Sequence, residues 1–153
     1  MSMPQAGDKA PDFELQDDQN NTVRLSDYRG KTVILYFYPR ADTPGCTKEA
    51  CAFRDDYSAY EERGVVILGA SPDTVTKQAK FKEKYNLPFP LLADPDHELA
   101  EKYGVWGLKK FMGRESMGVL RTTFLIDDQG QVIEVFEKVR PAQHSAEILA
   151  ALD

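Results

Sequence analysis

Cysteine is nearly absent from this chain, with two among 153 residues, Cys46 and Cys51. Histidine is as scarce, and there is a single tryptophan, Trp106. Two cysteines with His97 and His144 far away in sequence form no ligand-spaced cluster, so neither a metal nor a cofactor is expected. Long apolar runs are missing too. The longest, Val33 to Tyr38, is six residues and stops at Pro39, against the roughly 20 that a membrane-crossing helix needs. No glycine-rich phosphate motif (GxGxxG, or GxxxxGK followed by Ser or Thr) comes after a strand-like segment, which argues against nucleotide binding. Positive charge is in deficit, 19 Lys+Arg against 25 Asp+Glu for a net charge of −6. That balance repels nucleic acid and anionic membranes at long range, so neither is expected as a partner. The opening MSMPQAGDKAPDF has no basic segment followed by an apolar one. It therefore reads as no signal peptide, and a reducing cytoplasm is the expected compartment.

What is present is an ordinary globular composition, 42% apolar and 29% charged. A chain of this length buries roughly 68 to 70% of its unfolded surface in one core, so residues 1–153 are expected to form one domain without disulfide staples. β-Branched and aromatic runs predict strands at Thr32 to Tyr38, Val65 to Ala70, Thr122 to Ile126 and Gln131 to Phe136. The first two are nearly continuous apolar runs, suited to parallel strands covered on both faces, and Asp127 to Gly130 joins the last two as a hairpin. Helical patterns run over Pro44 to Arg63, Thr74 to Tyr85, His97 to Tyr103 and Ala142 to Leu152, while Gly104 to Gly118 reads as a loop. The alternation predicts an α/β sandwich of the thioredoxin type with a mixed sheet, flavodoxin-like folds being the other possibility.

The segment from Tyr36 to Cys51 leaves a buried strand through a tight turn into a helix. Thr43 is a good N-cap and Pro44 a good first helical residue, placing Cys46 in the first turn, where unpaired N–H groups and the helix dipole favour thiolate over thiol. Cys46, Ala50, Phe53, Tyr57 and Tyr60 then share one face, expected to be buried. Cys51 lies about 140° round the helix, with its Cα about 8.7 Å from that of Cys46, whereas a disulfide needs about 4.4 to 6.8 Å. If the two cysteines bond, the helix start must unwind and rewind, which predicts low local stability around Thr47 to Ala50. A cysteine so placed also serves elsewhere as a small buried apolar residue. The four-residue spacing is not CxxC, and both histidines read as solvated surface residues.

These residues carry a resemblance. Pro39, Thr43 and Cys46 reproduce PxxxTxxC, extended as ADTPGCTKEAC. With GDKAPDFELQD, LSDYRGKTVILYFYPR, YGVWGLKKFMGRESMG and RTTFLIDDQG, the chain resembles the Q-type peroxiredoxins, also called bacterioferritin comigratory proteins, which are thiol peroxidases on a thioredoxin fold. The resemblance implies Cys46 as peroxidatic cysteine, Cys51 as resolving cysteine, Thr43 as the hydroxyl that holds the peroxide, Pro39 as a shield over the sulfur and Arg121 as the cation near the thiolate. Taken alone, Arg121 reads as a surface residue at a strand edge. Glu49 is a candidate for proton movement, for helix packing, or for plain solvation.

The same resemblance implies hydroperoxide substrates, an intramolecular disulfide, thioredoxin as reductant and a monomer. Trp106, Leu108, Phe111 and Met112 in the glycine-bounded segment are candidates for a substrate pocket or reductant docking, with core packing the alternative for Trp106. Asn20-Asn21 and Leu108 depart from the family pattern, and Leu108 leaves substrate or partner preference open. Two other functions remain: a peroxide-sensing redox switch or chaperone-like binding protein, and a glutathione-dependent peroxidase of the same fold.

Overall fold

The computed structural model describes residues 3–153, with the backbone alone at 111. In chain order the elements are β1 (Glu14–Gln16), β2 (Thr22–Arg24), a 3-10 turn (Leu25–Tyr28), β3 (Thr32–Phe37), α1 (Pro44–Asp55), α2 (Tyr57–Glu62), β4 (Val65–Ser71), α3 (Val75–Tyr85), β5 (Leu91–Ala93), α4 (Glu98–Lys102), β6 (Trp106–Phe111), β7 (Arg114–Val119), β8 (Thr122–Ile126), β9 (Val132–Phe136) and α5 (His144–Leu152). The central sheet has the order β5-β4-β3-β8-β9. β3 runs parallel to β4 and β4 to β5, while β8 is antiparallel to both β3 and β9. The mixed thioredoxin-like α/β sheet expected from the run pattern is therefore present.

β3 is the middle strand because its side chains are apolar on both faces. Val33, Leu35 and Phe37 enter a core with Phe124, Ile126 and Tyr103. Ile34, Tyr36 and Tyr38 enter the other, with Cys46, Ala50, Phe53, Phe81 and Ile148. The β8–β9 turn forms as expected: Asp127 Oδ1 accepts the N–H groups of Gln129 and Gln131, both at 2.9 Å, and Gly130 takes φ 85°.

Three expectations need correction. The segment Gly104 to Gly118 contains a hairpin, β6 paired antiparallel with β7, closed by Met112 (φ 52°) and Gly113 (φ 79°). Gly107 sits opposite Gly118 and the apolar pair Leu108 and Met117 is exposed beside charged Lys110 and Glu115, so the apolar-in, polar-out alternation that marks a strand is weak. The long helix divides at Asp56, whose backbone (φ −96°, ψ 7°) leaves the helical region. Ser145 Oγ donates to Asp56 Oδ2 at 2.7 Å, so contact with α5 supports the break. Third, His144 is buried, with Nε2 2.7 Å from Thr123 Oγ1 and Nδ1 3.1 Å from Glu147 Oε1. The i, i+4 pair of His144 with buried Ile148 puts it on the inner face of α5.

Candidate functional site

Thr43 occupies the N-cap of α1 with an extended backbone (φ −103°, ψ 157°), and Pro44 opens the helix. The Thr43 hydroxyl does not cap the helix. It turns back and donates to the Arg40 carbonyl at 2.9 Å. The Thr43 carbonyl accepts the Thr47 N–H at 2.8 Å, the first helical bond. This places Cys46 in the first turn, 1% exposed, with Ala50 and Phe53 following it into the core.

Arg121 arrives from the residue just before β8. Its Nη2 donates to Cys46 Sγ at 3.2 Å and its Nη1 to Glu49 Oε1 at 2.7 Å. One planar guanidinium thus engages sulfur and carboxylate together, a fork that a lysine cannot reproduce. Gly45 makes room for it, because a Cβ there would lie 3.2 Å from Arg121 Nη2. Burial opposes the charge on Arg121, yet Glu49 and the Cys46 sulfur outweigh it and raise its pKa. Glu49 is fully buried, and burial pushes its carboxyl up to about 7 against the opposing pull of Arg121. Beneath them the Tyr36 hydroxyl is buried without a hydrogen-bond partner, and burial holds its pKa well above the usual phenol value.

Beside Arg121 opens a cleft of about 370 Å³ whose walls include Pro39, Lys109, Leu120, Arg121, Thr122 and Val139. Sequence reasoning missed Lys109, which comes from the hairpin read as a loop. Cys51 lies farther along α1, half-buried, and both thiols are free. The helix is unbroken between them. Trp106 is partly buried against the core and stacks on His97, with ring centroids 3.9 Å apart. Leu108 (57% exposed) and Met112 (88%) face outward.

Six candidates thus have places: Arg121 bonded to both Cys46 and Glu49, Pro39 on the cleft that Arg121 lines, Thr43 at the helix cap, and Cys51 on the same helix. Residues 6–135 match the profile of the AhpC/TSA family. Peroxiredoxin Bcp of Bacillus subtilis is 55% identical over 146 residues, 95% of this chain and 93% of that protein. The chain is a peroxiredoxin of the AhpC/TSA family.

Solved structures agree with that placement. Peroxidoxin BcpB of Mycobacterium tuberculosis superposes with a TM-score of 0.87 at 40% identity, covering 97% of this chain and 96% of the other. The bacterioferritin comigratory protein of Xanthomonas campestris, studied for its alkyl peroxide reduction activity, superposes with a TM-score of 0.89 at 33% identity and covers 96% of both chains. A further Xanthomonas campestris structure that superposes, with a TM-score of 0.89 at 34% identity and 96% of both chains covered, is named peroxiredoxin Q, the subgroup that the resemblance implied. As a peroxiredoxin the chain is a thiol peroxidase, and the thiol, arginine and carboxylate described above are suited to that chemistry.

Proposed function

We propose that Cys46 is the attacking thiol and that hydrogen peroxide and organic hydroperoxides are its substrates. The observation that carries this reading is the 3.2 Å contact from Arg121 Nη2 to Cys46 Sγ, made while Nη1 holds Glu49. The Cys46 thiolate attacks the near oxygen of ROOH, the O–O bond breaks, and with one proton the products are Cys46–SOH and ROH. Negative charge grows on the leaving oxygen, and the Arg121 fork stabilises it, while the Thr43 hydroxyl, its own proton donated to the Arg40 carbonyl, accepts from the peroxide O–H and holds the substrate. Pro39 covers the approach. Glu49, close to neutrality in its titration, keeps Arg121 oriented and is placed to hold or release a proton beside the sulfur.

The sulfenic acid then condenses with the Cys51 thiol, forming a disulfide and releasing water. Because α1 is continuous from Pro44 to Asp55, its first turns unwind for this step. A dithiol, thioredoxin in this reading, regenerates both thiols by exchange through a mixed disulfide. Having both thiols on one helix supports a self-sufficient, single-domain monomer working in the reducing cytoplasm. No helix among the described residues is long and apolar enough to cross a membrane.

Intact mass after one equivalent of hydrogen peroxide tests the scheme. The expected result is loss of two hydrogens in the wild type, a trapped sulfenic acid or its intermolecular dimer in Cys51→Ser, and recovery with thioredoxin, its reductase and NADPH. Two thiols left intact by peroxide overturn the assignment of Cys46. Recovery with glutathione and not with thioredoxin overturns the reductant alone.

A further inference from the structure

The turn before Cys46 is held from below by a buried polar network that the peroxidase chemistry does not account for. Asp73, in the link between β4 and α3, is buried. Its Oδ2 accepts the Ala41 N–H at 2.7 Å and the Ser71 hydroxyl at 2.6 Å. Ser71 Oγ in turn accepts from Gln78 Nε2 at 2.8 Å, and Gln78 Oε1 accepts the Tyr38 hydroxyl at 2.6 Å. Ser71, Gln78 and Tyr38 are buried as well. The network therefore touches the chain at 38 and again at 41, the two flanks of Pro39-Arg40.

What those residues hold is the peroxide side of the site. The Arg40 carbonyl accepts the Thr43 hydroxyl at 2.9 Å, so the placement of the Arg40–Ala41 peptide plane fixes the Thr43 rotamer. Asp42 follows with φ 57°, a left-handed backbone uncommon for a non-glycine residue. Its carboxylate accepts from Lys84 Nζ at 2.9 Å and Tyr85 Oη at 2.7 Å, both at the end of α3. Cys46 and Arg121, by contrast, are anchored by α1 and β8. Two supports thus meet beside the sulfur, the network under Pro39 and Arg40 and the α1–β8 frame of Cys46 and Arg121, with Thr43 between them, its hydroxyl bonded to Arg40 and its carbonyl to Thr47.

From this geometry we infer that Asp73 is a positioning residue for peroxide reduction, setting Thr43 and Pro39 against the Cys46 sulfur through the Ala41 N–H. This rests on the reading of Cys46 as the attacking thiol. A carboxylate accepting a backbone N–H makes a strong, directional bond, and a misplacement of about 1 Å in a reacting constellation costs on the order of 100-fold in rate. No hydrogen bond of the network ends on the sulfur, so its loss should spare chemistry that needs only the thiolate.

The test compares two reactions of Cys46 in a Cys51→Ser background: oxidation by hydrogen peroxide, which uses the Thr43 hydroxyl, and alkylation by iodoacetamide, which does not. In Asp73→Ala the peroxide rate constant is expected to fall by roughly 10- to 100-fold while alkylation stays within about two-fold. Asp73→Asn, which keeps an acceptor oxygen, should recover most of the loss. Adding Asp73→Ala to Thr43→Val should slow the peroxide step by no more than about two-fold beyond Thr43→Val alone, since the two act in series. An unchanged peroxide rate in folded Asp73→Ala, an equal fall in both reactions, or multiplicative effects in the double variant each overturn the proposal. If Asp73→Ala does not fold, Ser71→Ala takes its place, with a several-fold selective loss of the peroxide rate expected and an unchanged rate overturning the inference. Failure of the underlying reading looks different: Cys46→Ser then still consumes peroxide at the wild-type rate.

Discussion

Arg121 does two things with one side chain, and the two nitrogens engaged show which substitutions separate them. Nη2 faces Cys46 and Nη1 faces Glu49, so a lysine preserves the charge but loses one of the two contacts. Removing a preorganised donor from a site where charge develops typically costs about 100- to 1000-fold. Arg121→Met is therefore expected to slow single-turnover oxidation of Cys46 by that factor, and Arg121→Lys by a smaller one, roughly ten-fold or more, measured by stopped flow at pH 7. Equal rates in Arg121→Lys and wild type would show that charge alone suffices. At this scale placement was legible in the sequence where a motif fixed it, as for Thr43 at the helix cap and Cys46 in the first turn. Glu49 was open between burial and solvation because a helix periodicity of 3.6 puts position 49 at the margin of the inner face, and only Arg121, distant in sequence, draws it in.

At the scale of elements, α1 must be stable enough to align Cys46 and unstable enough to release it. Thr47 sits between the two thiols, half-buried, and contributes its backbone N–H to the first helical bond. Alanine exceeds threonine in helix propensity by about 0.6 kcal/mol, equivalent to nearly three-fold in the folded-to-unwound ratio of that turn at about 0.59 kcal/mol for RT. Thr47→Ala is thus expected to slow disulfide formation about two- to three-fold and to raise the fraction of Cys46 converted to sulfinic acid in excess peroxide, read by intact mass. A disulfide rate unchanged from wild type would mean that unwinding is not what limits resolution. Which elements could be read from sequence follows the same logic. β3 and β4 announce themselves by unbroken apolar runs, and α3 by its cap, Thr74 Oγ1 accepting the Lys77 N–H at 3.3 Å. The β6–β7 hairpin does not, since glycines and lysines occupy positions where an alternating strand shows apolar residues. The break at Asp56 depends on Ser145, 89 positions away, and no local pattern encodes a contact of that range.

For the whole molecule, two buried titratable groups pull stability in opposite directions with pH. Glu49, facing Arg121, Tyr36 and Cys46, has its carboxyl raised from 4.5 to about 7 by burial. The folded chain therefore holds a proton that the unfolded chain releases, so this contribution is full below about pH 4.5 and is lost as pH rises through 7, a change of about 3 kcal/mol at 1.36 kcal/mol per unit. His144, packed against Phe53 and Phe136 and bonded to Thr123 and Glu147, has its pKa lowered from 6.5, by burial first and by Arg121 in addition, against the pull of Glu147. Its unfolded form takes up a proton first, so its contribution is full above about pH 6.5 and is lost as pH falls below that value. The slopes overlap between about pH 4.5 and 6.5 and offset one another, and shared carboxylates cancel when variants are compared with wild type. Urea unfolding across pH 4.5 to 7 should therefore show Glu49→Gln gaining stability relative to wild type as pH rises, and His144→Gln gaining relative to wild type as pH falls. A Glu49→Gln difference that stays flat with pH would mean that Arg121 keeps this carboxylate ionised throughout, and Glu49 would then serve as a fixed counter-charge with no proton to give.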